Sequence, residues 1–298
     1  MKIFNKLRIL GAAAAFVLMA SPLAQAASKP GLDEVLKANA LLDQAPAVQY
    51  NLKGTFFTPI ISGNVIAAGQ IQDPKEKDAP NQMKMEGKGT VTLVMLGAKK
   101  PMEQAFTFYA IQKGNTLDEY IHDGKTWKKH SIPFTSPTEK EVQQGTDTFK
   151  KNVKSTKIVS DKGKTKVINV TLDSQKLFKT NKRNDKTEGQ KAVKKALKKM
   201  GDLTYRATID KKSGRLVGLF MDLTPLLRTS GKEILEAATI TGQVTPQQQE
   251  MAQAFLSSST LQFELSFAYD KGTDIVLPEA AKNATEIKGK AVGAKALH

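Results

Sequence analysis

QAFTFYAIQKGNTLDEYIHDGKTWKKHSIPF, residues 104–134, decides the fold of this chain. It reads as three short strands joined by two tight turns. Residues 105–112 are rich in aromatic and β-branched side chains (Phe106, Phe108, Tyr109, Ile111), the composition of a half-buried pleated surface. Gly114-Asn115 turns this strand into residues 117–122, and Asp123-Gly124 turns that one into residues 126–132. Asp-Gly is a strong two-residue hairpin signal, because a type I′ turn needs positive φ at both central positions. An antiparallel meander is expected.

The same pattern extends in both directions. Upstream, residues 82–96 place Met83, Met85, Val91, Leu93 and Met95 in alternation with polar neighbours. Gly87 and Gly89 inside that run predict a bulge or sharp bend, as a strongly curved sheet would need. Strands at 48–57 and 64–72 precede it, separated by Pro59, and a Pro- and charge-rich loop covers 73–81. Residues 32–42, apolar at 32, 35, 36 and 42 with Asp33 and Glu34 in the first turn, predict an amphipathic helix.

Downstream, residues 136–152 are compatible with helix. Strands are expected at 156–159 and 166–172 about Lys162-Gly163, and at 203–210 and 215–223 about Ser213-Gly214. A further strand, 260–269, carries Leu261, Phe263, Leu265 and Phe267 on one face. Helices are expected at 190–200, 230–238 and 246–256, the last with Thr245 as N-cap and Pro246 in first position. Strand runs interrupted by grouped helices predict an α+β protein with an antiparallel sheet, not alternating βα units.

The first 26 residues read as a cleavable export signal. Lys2, Lys6 and Arg8 precede an apolar run at 9–19, and Ala24-Gln25-Ala26 supplies a small-x-small cleavage site. With no Cys in the chain, the junction offers no lipidation site. The expected mature protein is therefore exported to the periplasm or cell envelope and not lipid-anchored. Residues 27–287 are expected to form one domain and 288–298 a loose tail. The lack of Cys also removes thiolate catalysis, CxxC redox chemistry and thiolate zinc sites.

The formal net charge of +16 is concentrated in one place. Residues 150–200 hold 17 Lys and Arg against four acids, and with the three basic residues of the leader they carry the whole excess. Sixteen of those 17 are lysine, and Phe178 is the one aromatic among them. Lysines act as point charges, whereas base or phosphate readout favours Arg forks and aromatic platforms, so nucleic acid is not an expected partner. QKAVKKALKKM, residues 190–200, puts Val193, Ala196, Leu197 and Met200 on one helical face, with Lys191, Lys194, Lys195, Lys198 and Lys199 around the rest. Those lysines suit an anionic membrane surface or envelope polymer. The plain alternative is a solvated helix packing its narrow stripe on the sheet.

Catalytic patterns are missing. Gly124-Lys125-Thr126 and Gly163-Lys164-Thr165 resemble the end of a phosphate loop, but positions 119 and 158 are Glu and Ile where the motif needs Gly. No SxxK, GxSxG or HExxH occurs. His122 and His130 flank one hairpin and read as exposed. Asp118 and Glu119 are adjacent in a strand and so face opposite ways. A non-enzyme without cofactor or metal is expected.

The order of elements resembles the lipoprotein-carrier superfamily (LolA-like), which includes periplasmic lipoprotein carriers, mycobacterial lipid-binding lipoproteins and uncharacterised secreted bacterial proteins. The likeness rests on a leader, short helix and strands in succession, on LDEYIHDGKTWKKHSI at 117–132, and on the ending, where residues 263–269 precede IVLPEAAKNA at 275–284. The resemblance implies a strongly curved antiparallel sheet, an unclosed half-barrel, with a few helices against its concave face. It further implies an apolar space that holds a lipid or acylated ligand. Candidate lining residues are Phe56, Leu93, Met95, Phe106, Phe108, Phe220, Phe263, Leu265 and Phe267. A second class of function fits the same scaffold: an envelope sensor or interaction module with a filled core and the lysine-rich face as its contact surface.

Overall fold

The computed structural model describes residues 29–72, 83–134, 139–173, 202–240, 242, 244–269 and 272–286. The export signal, the expected helix at 190–200 and the tail at 288–298 lie outside these residues. Among the described residues the strands are β1 (Ala47–Phe57), β2 (Ile61–Gln72), β3 (Lys84–Met95), β4 (Met102–Lys113), β5 (Thr116–His122), β6 (Trp127–Pro133), β7 (Val153–Ser160), β8 (Thr165–Leu172), β9 (Leu203–Asp210), β10 (Leu216–Asp222), β11 (Thr260–Tyr269) and β12 (Thr285–Glu286). The helices are α1 (Leu32–Asp43), α2 (Glu139–Asn152), α3 (Thr224–Ile240), α4 (Pro246–Ser257) and α5 (Glu279–Lys282).

All twelve strands form one sheet, in the order β12-β6-β5-β4-β3-β2-β1-β11-β10-β9-β8-β7. Every pairing is antiparallel except the short β12–β6 ladder. Two meanders, β1–β6 and β7–β11, are thus welded through β1 and β11. No pairing joins β6 or β12 to β7 among the described residues, so the sheet is an unclosed half-barrel of the α+β class.

Covalent reach requires the curvature. The chain passes from β6, near one edge, to β7, at the other, through residues 134–152. Five extended residues and the 14-residue α2 span at most ~38 Å. The ten strand intervals between β6 and β7 would measure ~48 Å if the sheet were flat. The sheet has to curl.

One face is apolar from β10 to β3. The pairings set Leu219 beside Leu265, Leu265 beside Leu52, Leu52 beside Ala67, and Val65 beside Val91. On this concave face α1 buries Val35, Leu36, Ala38 and Leu42 against Val48, Tyr50, Ile168, Val170, Tyr205 and Phe267. The helix starts at Gly31 in the left-handed region (φ 82°), where a Cβ would lie 2.8 Å from Ile168 Cδ1. Only Gly meets both demands. On the convex face Tyr109 and Tyr120 pack under the returning C-terminal strap with Ile275 and Ala281. Gln70 and Gln72 tie that strap down by accepting from the Thr273 and Ile275 backbone N–H groups.

Three local expectations change. Gly87 and Gly89 make no bulge, since the β2–β3 and β3–β4 registers run unbroken. Each glycine instead lies beneath a ring of the next strand. The Asp-Gly turn is a four-residue loop, residues 123–126, closed by His122 opposite Trp127. The Asp123 carboxylate accepts from the N–H groups of Lys125 and Thr126, and this local bonding replaces the type I′ geometry. Gly114-Asn115 is the true two-residue turn, between Lys113 and Thr116. Finally, α3 begins at Thr224, whose N–H donates to the Asp222 carboxylate at 2.9 Å. The capping box expected at Thr245 is formed with Gln248.

Asp118 is buried between β5 and β6, accepting from the Ser131 hydroxyl at 2.6 Å and facing Lys129 Nζ at 3.1 Å. Burial pushes its pKa up, but Ser131, Lys129 and Lys113 outweigh burial and hold the carboxyl below its ordinary range. A folded-state pKa below the unfolded one means that this contribution is complete above about 3.9 and is lost as pH falls through the folded value. Asp118→Asn should flatten the acid side of the stability–pH curve, read by urea unfolding across that range. A second expectation concerns Gly87, where an added Cβ would lie 2.5 Å from both the Phe108 ring and the Tyr50 hydroxyl. Gly87→Ala should cost about 1–3 kcal/mol, and Phe108→Leu in the same chain should cost less than it does alone.

Candidate functional site: the concave apolar face

Five aromatic side chains lie on glycines of neighbouring strands along this face. Phe263 is paired with Gly54, Phe56 with Gly63, Tyr50 with Gly69, Phe108 with Gly87 and Phe106 with Gly89. A Cβ on any of these glycines would come within 2.5–2.8 Å of the paired aromatic side chain. The rings therefore lie down on the sheet. Tyr50, at the centre, donates its hydroxyl to the Glu86 carbonyl at 3.0 Å. Burial, reinforced by the Glu86 carboxylate, drives its phenol far above the usual range, so it is neutral and serves as a donor.

The expected lining residues fall into three groups. Phe267 and Leu265 belong to the packed core under α1. Phe106, with Val65, Ala67, Leu52 and Val91, forms a second cluster that includes no described helix residue, and Phe108 bridges the two. The Phe106 and Phe108 rings stack at 6.4 Å. Phe56, Leu93 and Phe263 are half-buried farther along the same face, and Met95 is exposed at its end. This face divides into a filled half under α1 and a half over β1–β4 where apolar side chains are only partly covered.

Phe220 does not belong with them. Paired with Glu264 and Arg206, it projects from the convex face, with the Arg206 guanidinium 5.4 Å above its ring. Residues 216–221 (LVGLFM) carry no polar side chain, so alternation could not fix their parity until the β10–β11 register was known. Phe220 and Arg206 instead line a shallow convex pocket of about 220 Å³ with Asn169, Asp202, Asp222 and Pro225. Burial raises the Asp222 pKa, but Thr224, Gln262 and Arg228 outweigh burial and keep it low. This pocket is smaller than the ~300–1,000 Å³ of typical ligand sites.

The histidines also differ from expectation. His130 is buried, with Nδ1 3.4 Å from the Glu119 carboxylate, while the His122 ring lies 5.0 Å from that of Trp127, tilted by 41°. Strand alternation sets only which face a side chain takes, not how deeply it is covered. His130 and Glu119 give the concave face a polar border at β5–β6. No group of three His, Asp or Glu side chains with metal-binding geometry occurs among the described residues. Lys191, Lys194, Lys195, Lys198 and Lys199 lie outside those residues.

No family model matches this chain. No curated protein matches it. Among solved structures, a DUF1329 family protein from Desulfovibrio piger is similar over 82% of this chain and 93% of its own, at 10% identity and a TM-score of 0.25. So loose a superposition carries no argument about ligand or mechanism, and function has to be read from this chain's own residues.

The division of the face predicts a split in energetics. Phe267→Ala, in the packed half, should cost about 3–5 kcal/mol in urea unfolding. Met95→Ala, at the open end, should stay within about 0.5 kcal/mol of the parent.

Proposed function

We propose that this protein is an exported, non-enzymatic binding protein that holds a lipid or an acylated ligand against the open half of its concave face. One observation carries the reading: Leu52, Phe56, Val91, Leu93, Phe108 and Phe263 share one continuous face, stay only partly buried, and extend beyond the region that α1 covers. Apolar surface left in water costs about 25 cal/mol per Å², and an acyl chain laid on it recovers that energy. Rings lying on glycines keep the surface low and wide, which suits a chain without directional polar groups. Glu119 and His130 at the border supply the few polar contacts that orient an amphiphile. Among the described residues of the face no nucleophile–base pair occurs.

The test is uptake of a fluorescent fatty acid, with native mass spectrometry of protein from its own cells before and after solvent extraction. Stoichiometric, extractable lipid and saturable uptake are expected. Val91→Trp, which fills the open half, should weaken uptake about tenfold or more, whereas Phe220→Ala on the convex face should leave it unchanged. Lipid-free protein that takes up no probe would overturn the proposal in favour of an interaction module.

A further inference from the structure

The tips of the β1–β2 and β3–β4 hairpins together present four strongly exposed large apolar side chains. Leu96 is 78% exposed, Met102 55%, Ile60 50% and Phe57 47%. These tips are ordered by their own bonds. Thr58 closes the first, donating its N–H to the Ile61 carbonyl at 2.8 Å and accepting from the Ile61 N–H at 2.9 Å. Gly97, at φ 79°, turns the second, and the Leu96 N–H donates to the Ile60 carbonyl at 2.7 Å, so the two tips form one unit. The apolar side chains are therefore held outward by a rigid frame.

We infer that this double tip inserts into the surface of a bilayer containing anionic phospholipid. Phe57 and Val94, both opposite Ser62, stand on the convex side, while Met95 and Met102 stand on the concave side with Leu96 between. A protein partner covers one face of a sheet, but a fluid lipid phase surrounds a tip that is apolar on both. Charge selects the lipid. Residues 54–64 and 92–102 contain Lys99 and Lys100 and no acidic residue, and both lysines are exposed. They sit where phosphate headgroups would meet a tip inserted by its Leu and Met side chains.

Elsewhere at this end of the sheet the described charges are mixed, with Asp123 paired to Lys128 and Asp202 to Lys154, so the cationic character of the tips comes from Lys99 and Lys100. β8 ends at Leu172 and β9 begins at Leu203, paired with each other on the same side of the sheet as the tips. The sequence joining them, residues 173–202, carries ten Lys and Arg against four acids. The docking site itself consists only of the two tips. Its inner side is continuous with the concave apolar face through Leu93 and Phe56, so insertion would open that face toward the membrane.

The chain has no Cys, so a single introduced thiol can carry a polarity-sensitive dye. Leu96→Cys reports the tip and Lys162→Cys reports the opposite end of the sheet. Protein purified from its own cells, in its native processed form, is mixed with phosphatidylglycerol–phosphatidylcholine vesicles or with phosphatidylcholine alone. A blue shift at position 96 with the anionic vesicles only, none at position 162, and loss of the shift at high salt are expected. Lys99→Glu with Lys100→Glu should lower partitioning about tenfold or more. Unlabelled parent protein should float with the anionic vesicles and not the neutral ones, a readout that needs no substitution. No shift at position 96, equal shifts at both positions, or a shift that grows with protein concentration without vesicles would overturn the inference, the last pointing to a second copy on the tip. Fatty-acid uptake is scored separately, so failure of either proposal leaves the other standing.

Discussion

Everything in this architecture depends on the short connection between β6 and β7. Residues 134–152 join opposite sides of an eleven-strand span and are too short to cross it flat. The sheet must curl, and its one apolar face must become the concave one. From that follow the face on which α1 packs, the less covered half beside it and the convex face open to the C-terminal strap. The two-residue β12–β6 ladder covers one margin without closing the barrel.

The interior of the curl is built from rings and glycines. A concave sheet crowds the side chains on its inner face, and five cross-strand pairs relieve that crowding by setting Gly opposite an aromatic. Each ring covers its neighbour's backbone, which limits exposure of the strand while leaving the surface shallow. The half under α1 is filled as an ordinary core. The half over β1–β4 has rings and aliphatic side chains but no helix among the described residues. That asymmetry is what the proposed lipid-binding role rests on.

Much of this was legible from the chain. Alternation over 82–96 and 260–269 placed Leu93, Met95, Phe263, Leu265 and Phe267 on shared faces because a strand's side chains repeat every two residues. Thr245, Pro246 and Gln248 announced α4, since capping is a local matter of three or four residues. Gly87 and Gly89 were visible as exceptional but misread, because a bulge and a ring-bearing glycine look identical until the neighbouring strand is in register. Phe220 was placed on the wrong face for the same reason. His130 read as exposed because alternation sets which face a side chain takes, not how deeply it is covered.

The sequence by itself determined the strands, their inward parity where polar and apolar residues alternate, the capped helix and the concentration of lysine between β8 and β9. These are properties of a few consecutive residues and of local hydrogen bonding. Tertiary structure alone decided that β1 and β11 join the two meanders and that Tyr50 lies over both Gly69 and Gly87. It also decided that α1 fills just one half of the curl, and that two distant hairpins share one exposed apolar tip. Those outcomes follow from pairings across long separations, whose loop-closure cost and reach depend on the whole chain at once.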